Sequence, residues 1–134
     1  MNIPTDLKYS TEHEWVKLDN DIATVGVTDY AQSQLGEIVF VDIQPDVEGE
    51  TLSKGESFGA IEAVKTVADA FMPVSGEIIA INEAVNDVIE INSKQESVVN
   101  ADPYGAGWMI KVKISDPSEL NDLMSNEDYE DFIA

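Results

Sequence analysis

The apolar residues of this chain come in runs of strand length, closely spaced and separated by turn formers. That pattern favours a mainly β fold over helical or α/β architectures. Glu14–Leu18 leads into the turn cluster Asp19-Asn20-Asp21, and Ile22–Val27 returns as a second strand. Glu37–Ile43 has few polar breaks and reads as a well-buried strand, followed by a loop over Pro45–Glu50. Gly76–Ile81 continues the sheet system, and Trp108–Ile114 alternates from Ile110 onward, as a half-exposed strand does. Between them, residues 82–107 are mostly polar, with one short strand near Val88–Ile91.

Helical signals are confined to the margins. Thr28 caps a brief helix over Asp29–Leu35 that Gly36 ends. Near the C-terminus, Asp116-Pro117-Ser118-Glu119 has the form of an N-cap, a proline at the first helical position and an acid at the third. Leu120, Leu123 and Met124 follow at helical spacing, and Ser125 opens a second short helix carrying Tyr129, Phe132 and Ile133. The expectation is one domain over 1–134, with a β core at about 7–115 and short helices over 116–134. Its core is expected to be two small antiparallel sheets packed face to face.

Seven lysines, no arginine and 27 carboxylates give a net charge of -20. Such a surface repels nucleic acid and anionic membrane; it serves either solubility or docking on basic surfaces of partner proteins. Without arginine there is no bidentate clamp for phosphate or carboxylate. Without cysteine there is no disulfide, thiol nucleophile or zinc–thiolate site. No apolar run approaches a membrane span and the N-terminus lacks a basic leader region, so a bacterial cytoplasmic protein is expected.

Lys65 is the only basic residue between Lys54 and Lys94, and it lies near the midpoint between Gly55 and Gly76. Apolar stretches of strand length on both sides make it the tip of a β-hairpin, where another enzyme can reach its amine. Glu62 and Asp69 nearby favour the charged ammonium, which argues against Schiff-base chemistry by the chain itself. Acylation by an external activating enzyme stays open.

Phosphate loops, dinucleotide fingerprints and nucleophile elbows are absent. The lone His13 stands between Glu12 and Glu14. On an alternating strand its neighbours face the other way, so the three are not expected to converge, and His13 reads as structural. About one residue in five is acidic, so no carboxylate pair stands out as an acid/base dyad.

A set of local motifs resembles the H protein of the glycine cleavage system: Tyr9-x-x-Glu12-His13-Glu14-Trp15-Val16, the run Ala23–Gln32, Leu35-Gly36-Glu37 with Ile38–Val41, and Glu62-Ala63-Val64-Lys65. Pro73–Glu77, Asn82-Glu83-Ala84, Asp102-Pro103-Tyr104-Gly105-x-Gly107-Trp108 and Ser115–Leu120 extend the resemblance from about residue 7 to the C-terminus. It implies a lipoyl/biotinyl-type sandwich (a hybrid barrel-sandwich) with a short internal helix and a helical C-terminal tail. It also implies (R)-lipoate in amide linkage to Lys65. The lipoyl arm of that family takes an aminomethyl group from a pyridoxal-phosphate glycine decarboxylase (P protein). It delivers the group to a tetrahydrofolate-dependent aminomethyltransferase (T protein) and is reoxidised by dihydrolipoamide dehydrogenase (L protein). Lipoate-attaching enzymes are the further partners, with Glu62 and Val64 the residues they would read. The carrier is no enzyme itself, binds no metal and is expected to be monomeric.

The family folds its loaded arm into a surface cleft, for which Glu12, Glu14 and Asp69 are the candidates here. Two departures are small: Ala63 where serine is usual, and Thr66 where alanine is common. A larger one is the stretch from Val88 to Ala101, about seven residues longer than the family's usual connection. A biotin carrier is the nearest alternative, but its lysine usually lies between methionines, whereas Val64 and Thr66 flank this one. An H-like protein that relays lipoyl groups to other enzymes would share the same fold and lysine. An unmodified acidic β-domain is the remaining alternative.

Overall fold

The computed structural model describes all 134 residues. Its strands are β1 (Lys8–Tyr9), β2 (Glu14–Asp19), β3 (Ile22–Val27), β4 (Ile38–Asp42), β5 (Thr51–Leu52) and β6 (Ser57–Ala63). They continue as β7 (Val67–Phe71), β8 (Gly76–Ile81), β9 (Val88–Ile91), β10 (Lys94–Ser97) and β11 (Ile110–Ile114). Helix α1 spans Asp29–Leu35, α2 Val98–Ala101 and α3 Asn126–Ile133.

All pairing is antiparallel. A six-stranded sheet has the order β1-β2-β3-β11-β8-β5, and a three-stranded sheet the order β4-β6-β7. A separate ribbon pairs β9 with β10. The two layers are unequal in size. Alternation drives the packing. Ile110 and Val112 of β11 and Ala23, Val25 and Val27 of β3 point inward, meeting Ile38, Val41, Phe58, Ile61 and Ala70 from the smaller sheet. Trp15 lies across Gly26, where an added Cβ would come within 2.7 Å of the indole, so the sheet admits only glycine there.

A second cluster of Leu7, Tyr9, Trp15 and Tyr129 fixes the C-terminal tail to the first strands. The rings of Tyr9 and Tyr129 stack at 4.7 Å, and Trp15 Nε1 donates to the Pro103 carbonyl at 3.0 Å.

Three expectations need correction. β4 is not well buried: Ile38 and Val41 point inward, while Val39 and Phe40 are exposed. It is an edge strand with a bulge between Ile38 and Phe40. Its outward backbone groups are met by side chains. Ile38 N donates to Asn100 Oδ1 at 2.9 Å, and Val41 exchanges two hydrogen bonds with the Asn86 amide at 2.7 and 3.0 Å. These amides shield a sheet edge that would otherwise be open to pairing.

The segment Pro117–Asp122 is a 3-10 helix, and Leu123 and Met124 do not continue it. Asp116 caps Ser118, while the Glu119 carboxylate turns away to accept from Ser75 N and Oγ at 2.7 and 2.8 Å. Met124 instead forms an antiparallel bridge with Tyr9. Finally, residues 82–107 hold more order than their polarity suggests. Asn92 and Ser93 both take positive φ at the β9–β10 turn, and Val98 and Val99 of α2 are buried. The caps at Thr28 and Ser125 form as expected. No helix is long and apolar enough to cross a membrane.

Candidate functional site

Lys65 sits at the tip of the β6–β7 hairpin, in the three-residue loop Val64-Lys65-Thr66. Ala63 N donates to the Thr66 carbonyl at 2.8 Å, closing the loop. Val64 N donates to the Glu37 carbonyl at 3.0 Å, bracing the tip against the segment before β4. All three loop residues are exposed, Val64 at 64%. The one ion pair of the protein joins Lys54 to Asp122 at 3.1 Å, so the Lys65 ammonium has no carboxylate partner. Glu62 is half-buried on β6, in register with Phe40 of β4 and Val67 of β7. With Val39, Val64 and Val67 also exposed, the amine is surrounded by an apolar rim.

The same hairpin forms one wall of a cleft of about 360 Å³. Ile61, Ala68, Asp69 and Phe71 line it from β6 and β7; Tyr30 and Leu35 come from α1, and Val27 from β3. Ala31 and Gln34 of α1 also line it, with Glu12, His13 and Glu14, so the structure brings Glu12, Glu14 and Asp69 to one cavity. Lys65 is not among its walls. Asp69 lies four residues along the strand, a separation of about 13 Å.

The expectation that Glu12, His13 and Glu14 diverge is overturned. His13 has φ 69, outside extended geometry, and alternation starts only with β2 at Glu14. The kink is held by His13 N donating to the Ser10 carbonyl at 3.1 Å and Thr28 N donating to the His13 carbonyl at 3.1 Å. His13 Nδ1 also lies 2.9 Å from the Tyr129 hydroxyl, which lies 2.8 Å from Thr28 Oγ1. This chain ties α3 to the cap of α1 through His13. Burial lowers the pKa of His13, opposed by the nearby Glu12 carboxylate.

Glu14 is the unusual group. Its side chain is only 2% exposed, and burial pushes its pKa up to about 7. Hydrogen bonds from Ser10 Oγ at 2.7 Å and Phe71 N at 3.3 Å oppose that rise but do not cancel it. Glu12 and Asp69 are exposed at the rim. Three carboxyl groups, no lysine and apolar walls make a cavity suited to a small cationic group on an apolar stem. No cluster of three or more His, Asp or Glu side chains is placed to hold a metal ion. Sequence reasoning missed Ser10 and the Thr28–Tyr129–His13 chain. The first had a local signal, a hydroxyl four residues before a buried acid; the second joins residues too distant in sequence to suggest one.

A sequence model of the family described as Glycine cleavage H-protein matches residues 7–134. Among characterised relatives, the glycine cleavage system H protein of Bacteroides thetaiotaomicron is 55% identical over 129 residues, 96% of this chain and 95% of that protein. That of Carboxydothermus hydrogenoformans is 51% identical over 131 residues, covering 98% and 94% of the two chains. The crystal structure of a glycine cleavage system H protein from Mycobacterium marinum superposes with a TM-score of 0.80 at 34% identity. It covers 96% of this chain and 97% of that one.

Proposed function

The chain belongs to the glycine cleavage H-protein family, and from that premise we propose that Lys65 is the residue that carries its lipoate. Membership makes the protein a lipoyl-carrying shuttle of the glycine cleavage system, a carrier component and not the catalyst. What supports Lys65 is a single observation: it is an exposed, unpaired amine at the tip of a braced hairpin whose strands also wall a carboxyl-lined cleft. When bound, the dithiolane of lipoate supplies the exchangeable sulfur that accepts and gives up the aminomethyl group.

The chain's own residues supply everything else. The β6–β7 loop holds the amine away from the body, within reach of an attaching enzyme that reads Glu62 and Val64. Asp69 lies about 13 Å from the tip, within the reach a lipoyl-lysine would have. Glu12, Glu14 and Asp69 would meet a cationic amine brought to the cleft, while Ile61, Phe71, Leu35 and Val27 would keep water from it. In this reading the partners are the glycine decarboxylase, the aminomethyltransferase, dihydrolipoamide dehydrogenase and the lipoate-attaching enzymes. The chain acts as a monomer in the bacterial cytoplasm, in keeping with its bacterial relatives.

Reconstitution tests the reading. Lipoylated wild-type chain with the other three components should cleave glycine, and Lys65→Arg should abolish turnover. Normal turnover by the arginine variant would overturn the assignment.

A further inference from the structure

Glu14, with Glu12 and Phe71, lies between two cavities. In front lies the cleft described above; behind lies a second cavity of about 220 Å³, bordered by Ser10, Thr11, Lys54, Met72 and Glu14 itself. Ser10 holds the acid from that side through three hydrogen bonds. Ser10 Oγ donates to Glu14 Oε1 at 2.7 Å, Glu14 N donates to Ser10 Oγ at 3.0 Å, and Ser10 N donates to the Glu14 carbonyl at 2.9 Å. No other side chain bonds the Glu14 carboxyl; its second oxygen accepts only from Phe71 N at 3.3 Å.

We propose that Ser10 is a positioning residue for the cleft: its hydroxyl fixes the Glu14 carboxyl toward the cavity and sets the pH at which that carboxyl gives up its proton to meet a cation. The proposal rests on the reading that the cleft receives the cationic end of a loaded arm. A nearly inaccessible carboxyl is most easily buried neutral. An arriving ammonium makes the anion the favoured form, so one O–H bond of Glu14 breaks and one proton leaves. The arm then fills the front cleft, and the rear cavity beside Ser10 is where water can take that proton. Burial already holds Glu14 near the midpoint of its titration at neutral pH, so the exchange needs no extreme condition.

The groups facing Glu14 are few. Glu12 lines both cavities and its nearby carboxylate favours the protonated form of Glu14, while Asp69 lines the cleft side. Burial disfavours a charged His13; Tyr30 lines the cleft, and the buried Tyr129 stands behind His13. Lys54 is the one cation on the rear side, already paired with Asp122. Ser10 is thus the one side-chain donor that stabilises the Glu14 anion in the empty site.

The test titrates the chain without lipoate, labelled with ¹³C at the glutamate side-chain carboxyls, as wild type, Ser10→Ala and Ser10→Thr. The Glu14 midpoint should rise by roughly one pH unit in the alanine variant and return toward wild type in the threonine variant. Equal midpoints in wild type and Ser10→Ala would overturn the proposal. So would equal shifts in both variants, since the effect would then follow from altered packing and not from the hydroxyl. A parallel experiment on the lipoylated, aminomethylated chain follows decay of the bound group against pH. In Ser10→Ala the pH at which protection is half lost should rise by the same amount as the Glu14 midpoint. A Ser10-dependent Glu14 midpoint with decay insensitive to Glu14→Gln would leave the hold of Ser10 on Glu14 standing and sink the cleft reading instead.

Discussion

Glu14 is costly to the fold at the pH where the protein works. Its pKa rises from 4.5 to about 7 on folding. Between those values the folded state binds more protons than the unfolded chain, so this group's contribution to stability falls as pH rises, and the penalty is complete above about 7. Glu14→Gln removes it. Relative to wild type, the variant should gain stability across that window, by an amount on the order of 3 kcal/mol at most, read by urea denaturation. A constant difference at all pH values would contradict the assignment. The same carboxyl matters to the cargo: Glu14→Ala should speed loss of the aminomethyl group in free solution, and unchanged decay would discredit its role there. At this scale the sequence was informative about identity and poor about direction. Lys65, Glu12, Glu14 and Asp69 could be named from motifs, but nothing in a histidine announces the φ of 69 that turns Glu12 and Glu14 into one cavity.

Elements were legible where a cap or an alternation has only one reading. Thr28 and Ser125 each accept from the third amide beyond them, and β11 alternates as its sequence does. Legibility failed where side chains do the work of backbone. The Asn86 and Asn100 amides occupy the edge of β4, so an apolar run that reads as central lies at a boundary with Val39 and Phe40 exposed. Glu119 serves Ser75 instead of its own helix, and the tail turns 3-10. Asn100→Ala should therefore destabilise the protein by about 1–3 kcal/mol, because it strands the half-buried edge donor Ile38 N and also frees the Gly36 carbonyl. Chemical denaturation checks this; a loss within a few tenths of a kcal/mol would show that water substitutes freely for the amide. The stretch after Val88 is an ordered ribbon, rooted beside β4 by those same two asparagines that flank it.

The whole molecule combines a rigid sandwich, one free amine on a projecting loop and a net charge of -20. Val39, Phe40, Val64 and Val67 form an exposed apolar rim on this acidic surface. Charge of this size speeds encounter with basic partner surfaces and is screened within a Debye length of about 8 Å at physiological salt. Raising ionic strength should therefore raise the KM of the glycine decarboxylase for this carrier while leaving kcat nearly unchanged; a KM indifferent to salt would assign recognition to the apolar rim alone. All of these consequences depend on the covalent role of one amine. The direct measurement is the intact mass of the protein from cells supplied with lipoate, followed by peptide mapping. The account predicts the mass of a single lipoyl group, located wholly on Lys65 and lost in Lys65→Arg. An unmodified chain, a biotinyl mass, or a lipoyl group on any other of the seven lysines would contradict it.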